Sequence, residues 1–173
     1  MTQTPKHRAI LVMGTSGSGK STVGSALAER LGAVFLEGDA YHPQSNVDRM
    51  ASGKPLTDEM RWPWLDQLAR AAAEKRQFHE TVLACSALKR SYRDRLRAQL
   101  PGLITVYPDA SKELIAERMQ GRKGHFMPLS LLDSQFETLE PPGDDETAIR
   151  VSADQRPEEM VAEVAARLSS DGE

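Results

Sequence analysis

The chain has 173 residues, 39% of them hydrophobic, enough to build one domain around a buried core and too few to suggest a second. Its 22 lysines and arginines stand against 25 aspartates and glutamates, a net charge of −3, so bulk charge points to neither a nucleic-acid nor a basic membrane surface and any anion site must be local. The single cysteine, Cys85, excludes an internal disulfide; no apolar run nears the roughly 18 residues of a spanning helix, and Met1 to Arg8 lack a secretory h-region, so a cytoplasmic protein is expected.

Ala9 to Met13 is a short continuous apolar run, the pattern of a strand buried on both faces of a parallel sheet. A helix follows, with Val23, Ala26, Leu27 and Leu31 at helical spacing and Gly32 as its left-handed stop. Ala33 to Leu36 is the second strand, with Glu37-Gly38-Asp39 at its carboxyl end. The polar stretch from Tyr41 to Pro55 holds a short helix, with Ser45 and Asp48 as a capping pair. Pro63 to Arg76 is expected as a longer helix carrying Trp64, Leu65, Leu68 and Ala72 on one stripe.

Thr81 to Cys85 is the third strand, Ser86 a cap for a helix over Lys89 to Leu100, Leu103 to Tyr107 the fourth strand, and Ser111 to Gly121 the next helix. An irregular segment from Gly121 to Gly143 leads to a fifth strand, Ala148 to Ser152, and a last amphipathic helix from Pro157 to Leu168. Strands alternating with helices imply right-handed crossovers, a parallel sheet covered on both faces, and ligands at the carboxyl ends of the strands.

Gly14-Thr15-Ser16-Gly17-Ser18-Gly19-Lys20-Ser21 fits G-x-x-x-x-G-K-[ST], between the strand and the helix that the motif requires. The glycines let backbone N–H groups turn inward around a phosphate. Lys20 reaches the β and γ phosphates, the Ser21 hydroxyl is a Mg²⁺ ligand, and Thr22 adjoins them. The loop alone also suits GTPase switches and ATP-driven machines. No N-K-x-D guanine signature occurs, and a small ATP-dependent phosphotransferase fits a chain of this length.

Asp39 ends the second strand on the ligand rim, where a carboxylate could accept a hydroxyl proton or orient Mg²⁺ water; a turn or cap aspartate is the plain alternative. His42 beside Pro43 suits a turn residue as well as a site residue. Lys89 and Arg93 share one helix face that begins at the rim, and could hold an anionic substrate or be solvated. Arg49, Lys54 and Arg61 are further clamp candidates. Arg118 and Arg122 lead into a polar stretch with Gly121, Gly124 and His125 that has the character of a lid, which would bring guanidinium groups to the γ-phosphate and exclude water.

Beyond the phosphate loop, the chain carries Phe35-Leu36-Glu37-Gly38-Asp39 with His42-Pro43, Asn46 to Met50, Ser52-Gly53-Lys54-Pro55-Leu56, Arg61 with Pro63-Trp64-Leu65, Cys85-Ser86-Ala87-Leu88-Lys89 with Tyr92-Arg93-Asp94, Lys123-Gly124-His125-Phe126 and Ser134-Gln135-Phe136-Glu137. In these segments it resembles the small P-loop gluconate kinases, relatives of shikimate and nucleoside-monophosphate kinases, over about residues 10 to 157. The resemblance implies a three-layer, nucleoside-monophosphate-kinase-like fold with a five-stranded parallel sheet, a substrate-binding segment near residues 40–62 and a lid near 119–140. It further implies transfer of the ATP γ-phosphate to the 6-hydroxyl of D-gluconate, with Mg²⁺, in a homodimer; acceptors of the shikimate or nucleotide type are the alternative, as is a regulator that only binds nucleotide.

Carried over by position, Lys20 and Ser21 take the phosphate and metal roles, Asp39 that of the base, Arg118 and Arg122 the lid, and Lys89 and Arg93 the substrate-side pair. Gln155, in the loop after the last strand, is expected beside adenine. One departure stands out: family members often have an aspartate immediately before the Arg61 position, and Met60 stands there, which removes a second carboxylate from the expected pocket.

Overall fold

A computed structural model describes residues 7–15, 17–120 and 129–171 of the chain. Its elements run β1 (Ala9–Val12), α1 (Lys20–Leu31), β2 (Val34–Glu37), a 3₁₀ turn (Gly38–Tyr41), α2 (Gln44–Ala51), α3 (Asp58–Lys75), β3 (Thr81–Ala84), α4 (Arg90–Gln99), β4 (Ile104–Asp109), α5 (Lys112–Gln120), α6 (Leu129–Thr138), β5 (Ala148–Ser152) and α7 (Pro157–Asp171). The five strands form one all-parallel sheet in the order β2-β3-β1-β4-β5. β1 is therefore central, and every residue of it is fully buried.

Alternation along β1 divides the core. Ala9, Leu11 and Met13 join Leu65, Leu68 and Ala72 of α3 and Leu96 of α4 on one face. Ile10 and Val12 join Val23 and Leu27 of α1 and Met160, Val164 and Leu168 of α7 on the other. The sheet is thus the middle of three layers: the inner strands β1 and β3 are buried throughout because helices cover both sides, while the edge strand β5 alternates and exposes Arg150 and Ser152.

Several boundaries differ from the expected ones for identifiable reasons. α3 begins five residues before Pro63, because Thr57 caps it, accepting from the Met60 N–H at 3.3 Å, with Asp58 and Glu59 in the first turn favouring the positive helix end. Pro63 lies inside the helix, not at its start. Ser45 is likewise inside α2, whose N-cap is Pro43, so the Ser45–Asp48 capping pair does not form. Ser86 does not cap α4 either; Lys89 is its N-cap, and the Arg90 N–H donates to Glu140 Oε1 at 3.0 Å. The segment read as wholly irregular before β5 contains α6, which buries Leu132 against the α1 side of the sheet. Among the described residues, no helix is long and apolar enough to cross a membrane.

Candidate active site

β1 delivers the chain to the carboxyl edge at the centre of the sheet, where the phosphate loop begins. Gly14, Gly17 and Gly19 have φ of +144°, +80° and +89°, conformations open to glycine and strained for other residues. A Cβ on Gly14 would sit 2.7 Å from Ser18 Oγ, so the loop closes too tightly there for any side chain. Ser18 Oγ itself is buried without a hydrogen-bond partner among the described residues. Helix α1 starts at Lys20 with Gly19 as N-cap, no side-chain cap and no acidic residue in its first turn. The first-turn amides and the positive helix end are thus left to an external anion, and this local geometry suits a phosphate. Ser16 lies outside the described residues. Ser21, in the first turn, and Thr22 follow Lys20 on α1.

A cavity of about 330 Å³ opens from Lys20 toward α2, α3 and α6. Asp39, His42, Lys54, Arg61 and Ser86 line it, with Ser134, Gln135 and Thr138 of α6 on the far side and Leu56 and Trp64 as apolar wall. Asp39 enters from the 3₁₀ turn with its side chain 73% exposed. Its backbone is pinned by its neighbour: a Cβ on Gly38 would fall 2.3 Å from the Ala84 carbonyl oxygen, and the Trp64 indole N–H donates to the Gly38 carbonyl at 2.8 Å. His42 stacks on Trp64, ring centroids 3.9 Å apart and planes at 21°. Burial pushes its pKa down from 6.5 to about 4; Asp39 opposes the shift and Arg61 adds to it, so the imidazole is neutral at pH 7.

The basic residues divide. Lys54 and Arg61 line the cavity. One Nη of Arg61 donates to the Leu56 carbonyl at 3.2 Å, while its Nε is buried without a partner among the described residues. Arg49 instead donates to the Pro55 carbonyl at 2.7 Å and closes the turn after α2. Lys89 stands 3.9 Å from Asp58 and over the Tyr92 ring, and is not among the residues that line the cavity.

Arg93 requires a correction: it is not available to a substrate. It is fully buried, donating from Nε and Nη2 to the Glu146 carboxylate at 2.8 and 3.0 Å. Its Nη1 donates to the carbonyls of Ala87 and Leu88 at 2.9 and 3.2 Å. Burial had no signature in the spacing of α4, and Glu146 lies 53 residues away in sequence. The neighbouring carbonyls are similarly occupied, Ser86 accepting from the Gly14 N–H at 3.2 Å and Leu88 also from the Glu140 N–H at 2.8 Å. Between them Ala87 has φ of +42°, the one positive value outside glycine among the described residues.

A second hollow on the other side of the phosphate loop brings together Gly17, Gly19, Thr22, Arg118, Gln155 and Met160. Arg118 donates to the Ala153 carbonyl there, and Gln155 Nε2 to the Ser152 carbonyl at 2.9 Å. Arg122 and His125, the remaining lid candidates, lie outside the described residues. Asn46, Trp64, Ser86 and Ser134 were not singled out as site residues from sequence. The last three line the cavity, and Asn46 is a buried neighbour of His42.

Comparison with known proteins agrees with this arrangement. A family model described as an AAA domain matches residues 10–142. A gluconokinase of Gluconobacter oxydans (strain 621H) is 51% identical over 92% of this chain and 90% of its own length, and the thermoresistant gluconokinase of Escherichia coli (strain K12) 47% identical over 90% of each. The chain belongs to the gluconokinase family. The crystal structure of a gluconokinase from Sinorhizobium meliloti 1021 superposes with a TM-score of 0.83 at 45% identity, covering 96% of this chain and 98% of that one. A shikimate kinase from Aquifex aeolicus vf5, 21% identical with a TM-score of 0.66 over 95% of this chain and 98% of its own, shares the fold. Lys20 is common to the phosphate loop and to the cavity beside it.

Proposed function

We propose that the chain transfers the γ-phosphate of ATP to the 6-hydroxyl of D-gluconate, giving 6-phospho-D-gluconate and ADP. The observation that carries this reading is that Lys20 lines the same cavity as Asp39, Lys54 and Arg61, so the phosphate end and a cationic acceptor end share one space. Lys54 and Arg61 suit the carboxylate of a sugar acid, and the hydroxyls and amides of Ser86, Ser134, Gln135 and Thr138 suit its polyol chain. High identity to gluconokinases supports the choice of acid.

The loop amides and Lys20 would bind the transferred group and offset the charge that develops on it, and Asp39 would orient the hydroxyl and accept its proton. Ser21 would hold the accompanying Mg²⁺ with Asp39 nearby, and the ion would neutralise phosphate charge. Arg118 and Gln155 would bound the nucleotide side, and Arg122 and His125 would belong to the lid. The family resemblance further supports a cytoplasmic homodimer, which sedimentation of the purified protein would test.

The deciding experiment is a coupled ADP-release assay over D-gluconate, shikimate, other sugar acids and nucleoside monophosphates. Turnover that depends on gluconate is expected. Turnover on shikimate or a nucleotide without turnover on gluconate would reassign the acceptor, and ATP binding with no acceptor phosphorylated would leave a nucleotide-binding regulator.

A further inference from the structure

Asn46 is 1% exposed and belongs to α2, on the wall that carries His42. Its Nδ2 donates to the Met60 backbone carbonyl at 3.0 Å and lies 3.1 Å from His42 Nδ1. A carbonyl oxygen can only accept, so the Met60 contact fixes which end of the Asn46 amide is the NH₂ group. The second hydrogen of that same nitrogen then faces His42 Nδ1, which must be the unprotonated, accepting nitrogen of the ring. The ring proton is left on Nε2. Trp64, stacked on the imidazole, allows no easy rotation away from this arrangement.

The other ring nitrogen lies 3.9 Å from Asp39 Oδ1, just beyond hydrogen-bond reach, at the edge of the acceptor cavity. We propose that Asn46 is a positioning residue that locks neutral His42 as the Nε2–H tautomer, so that a permanent hydrogen-bond donor faces Asp39 and the acceptor. A small rotation of the exposed Asp39 carboxylate closes the contact. The donor is uncharged, so it steadies the carboxylate without neutralising it, and Asp39 keeps its full charge for the acceptor hydroxyl. The other charged groups lining this cavity are Lys20, Lys54 and Arg61, and the hydrogen bond that His42 Nδ1 accepts comes from the Asn46 amide. The backbone carbonyl at position 60 serves as the anchor, so a methionine side chain there is no handicap to the relay.

The inference rests on the acceptor-site reading, but its first test does not. Long-range ¹H–¹⁵N correlation spectra of the histidines, with His42 assigned by comparison with His42→Gln, should show an Nε2-protonated, Nδ1-bare ring at pH 7 in the absence of any substrate. An Nδ1-protonated ring or an imidazolium overturns the proposal whatever the enzyme phosphorylates. Asn46→Asp replaces the donor by an acceptor and should move the proton to Nδ1, and Asn46→Leu should leave a mixture of tautomers. With the phosphorylated acceptor, both variants should lose about ten- to a hundredfold in kcat while the KM for ATP stays put. A variant that keeps the parental tautomer shows that Asn46 does not set it, and one that switches tautomer with unchanged kcat shows that the tautomer does not position Asp39; either result sinks the proposal. If neither variant folds, the spectrum of the parent protein still decides the tautomer.

Discussion

Replacing Glu146 by glutamine keeps the shape of the side chain and removes the charge that balances Arg93. In the parent, both side chains are shut from water, 0% and 1% exposed, and the carboxylate accepts from Arg93, from the Gly143 N–H at 2.9 Å and from the Arg97 guanidinium. Burial alone would raise the Glu146 pKa, but the hydrogen bonds from Arg93 and Gly143 more than offset it and hold the carboxyl down, from 4.5 to about 2. Each tenfold change in proton affinity corresponds to about 1.4 kcal/mol, so the ionised carboxyl contributes about 3 kcal/mol to folding. This agrees with the roughly 3–5 kcal/mol by which loss of one partner destabilises a buried pair. At about 2–4 °C per kcal/mol for a domain of this size, Glu146→Gln should melt about 10 °C below the parent at pH 7, followed by circular dichroism. The folded carboxyl binds its proton more weakly than the unfolded one, so the stabilisation is complete above pH 4.5 and drains away as the pH falls toward 2. The parent should therefore lose stability across that window more steeply than Glu146→Gln. A variant melting within about 2 °C of the parent, or two parallel acid curves, would refute the reasoning.

Lys20→Ala should lower kcat by about 10²- to 10³-fold, since it removes charge stabilisation at the transferred group; parental turnover in the ADP-release assay would count against that role. Asp39→Asn should cost at least about a hundredfold in kcat and leave nucleotide affinity, measured by calorimetry, close to the parent. Gly38→Ala should destabilise the fold by about 1–3 kcal/mol or more, because its Cβ would press on the Ala84 carbonyl, and a chemical denaturation midpoint equal to the parent's would show that the strand end yields freely.

The phosphate loop and the parallel sheet were legible because their signals are local. A buried strand ending at glycine and a helix starting at lysine fit within one short stretch of chain, β3 is a similarly buried run, and the edge strand β5 shows itself by alternation. Capping was harder to place. Thr57 caps α3 through one side-chain hydrogen bond, and the helix runs through Pro63 although proline removes one backbone donor there. The proposed acceptor wall depended on distances that spacing does not encode: Lys89 and Arg93 are four apart, yet one meets Asp58 and the other Glu146, residues from opposite directions along the chain. Asn46 lies in a segment that resembles the family, but no role could be read for it there, because its contacts are an atom of a distant backbone and a ring nitrogen.

The strip Ser86-Ala87-Leu88 is a joint common to both halves of the site. Its successive carbonyl groups are tied to the start of the phosphate loop, to Arg93 and to the chain leaving α6, while Ser86 and Leu88 themselves line the cavity proposed for the acceptor. On the proposed reading, displacing that joint would disturb the seats of both ligands together, whereas trimming a residue such as Lys54 would touch one alone. If the joint couples the two proposed ligands, reciprocity requires that each change the other's affinity by the same factor, which calorimetric titration of one in the presence of the other would read.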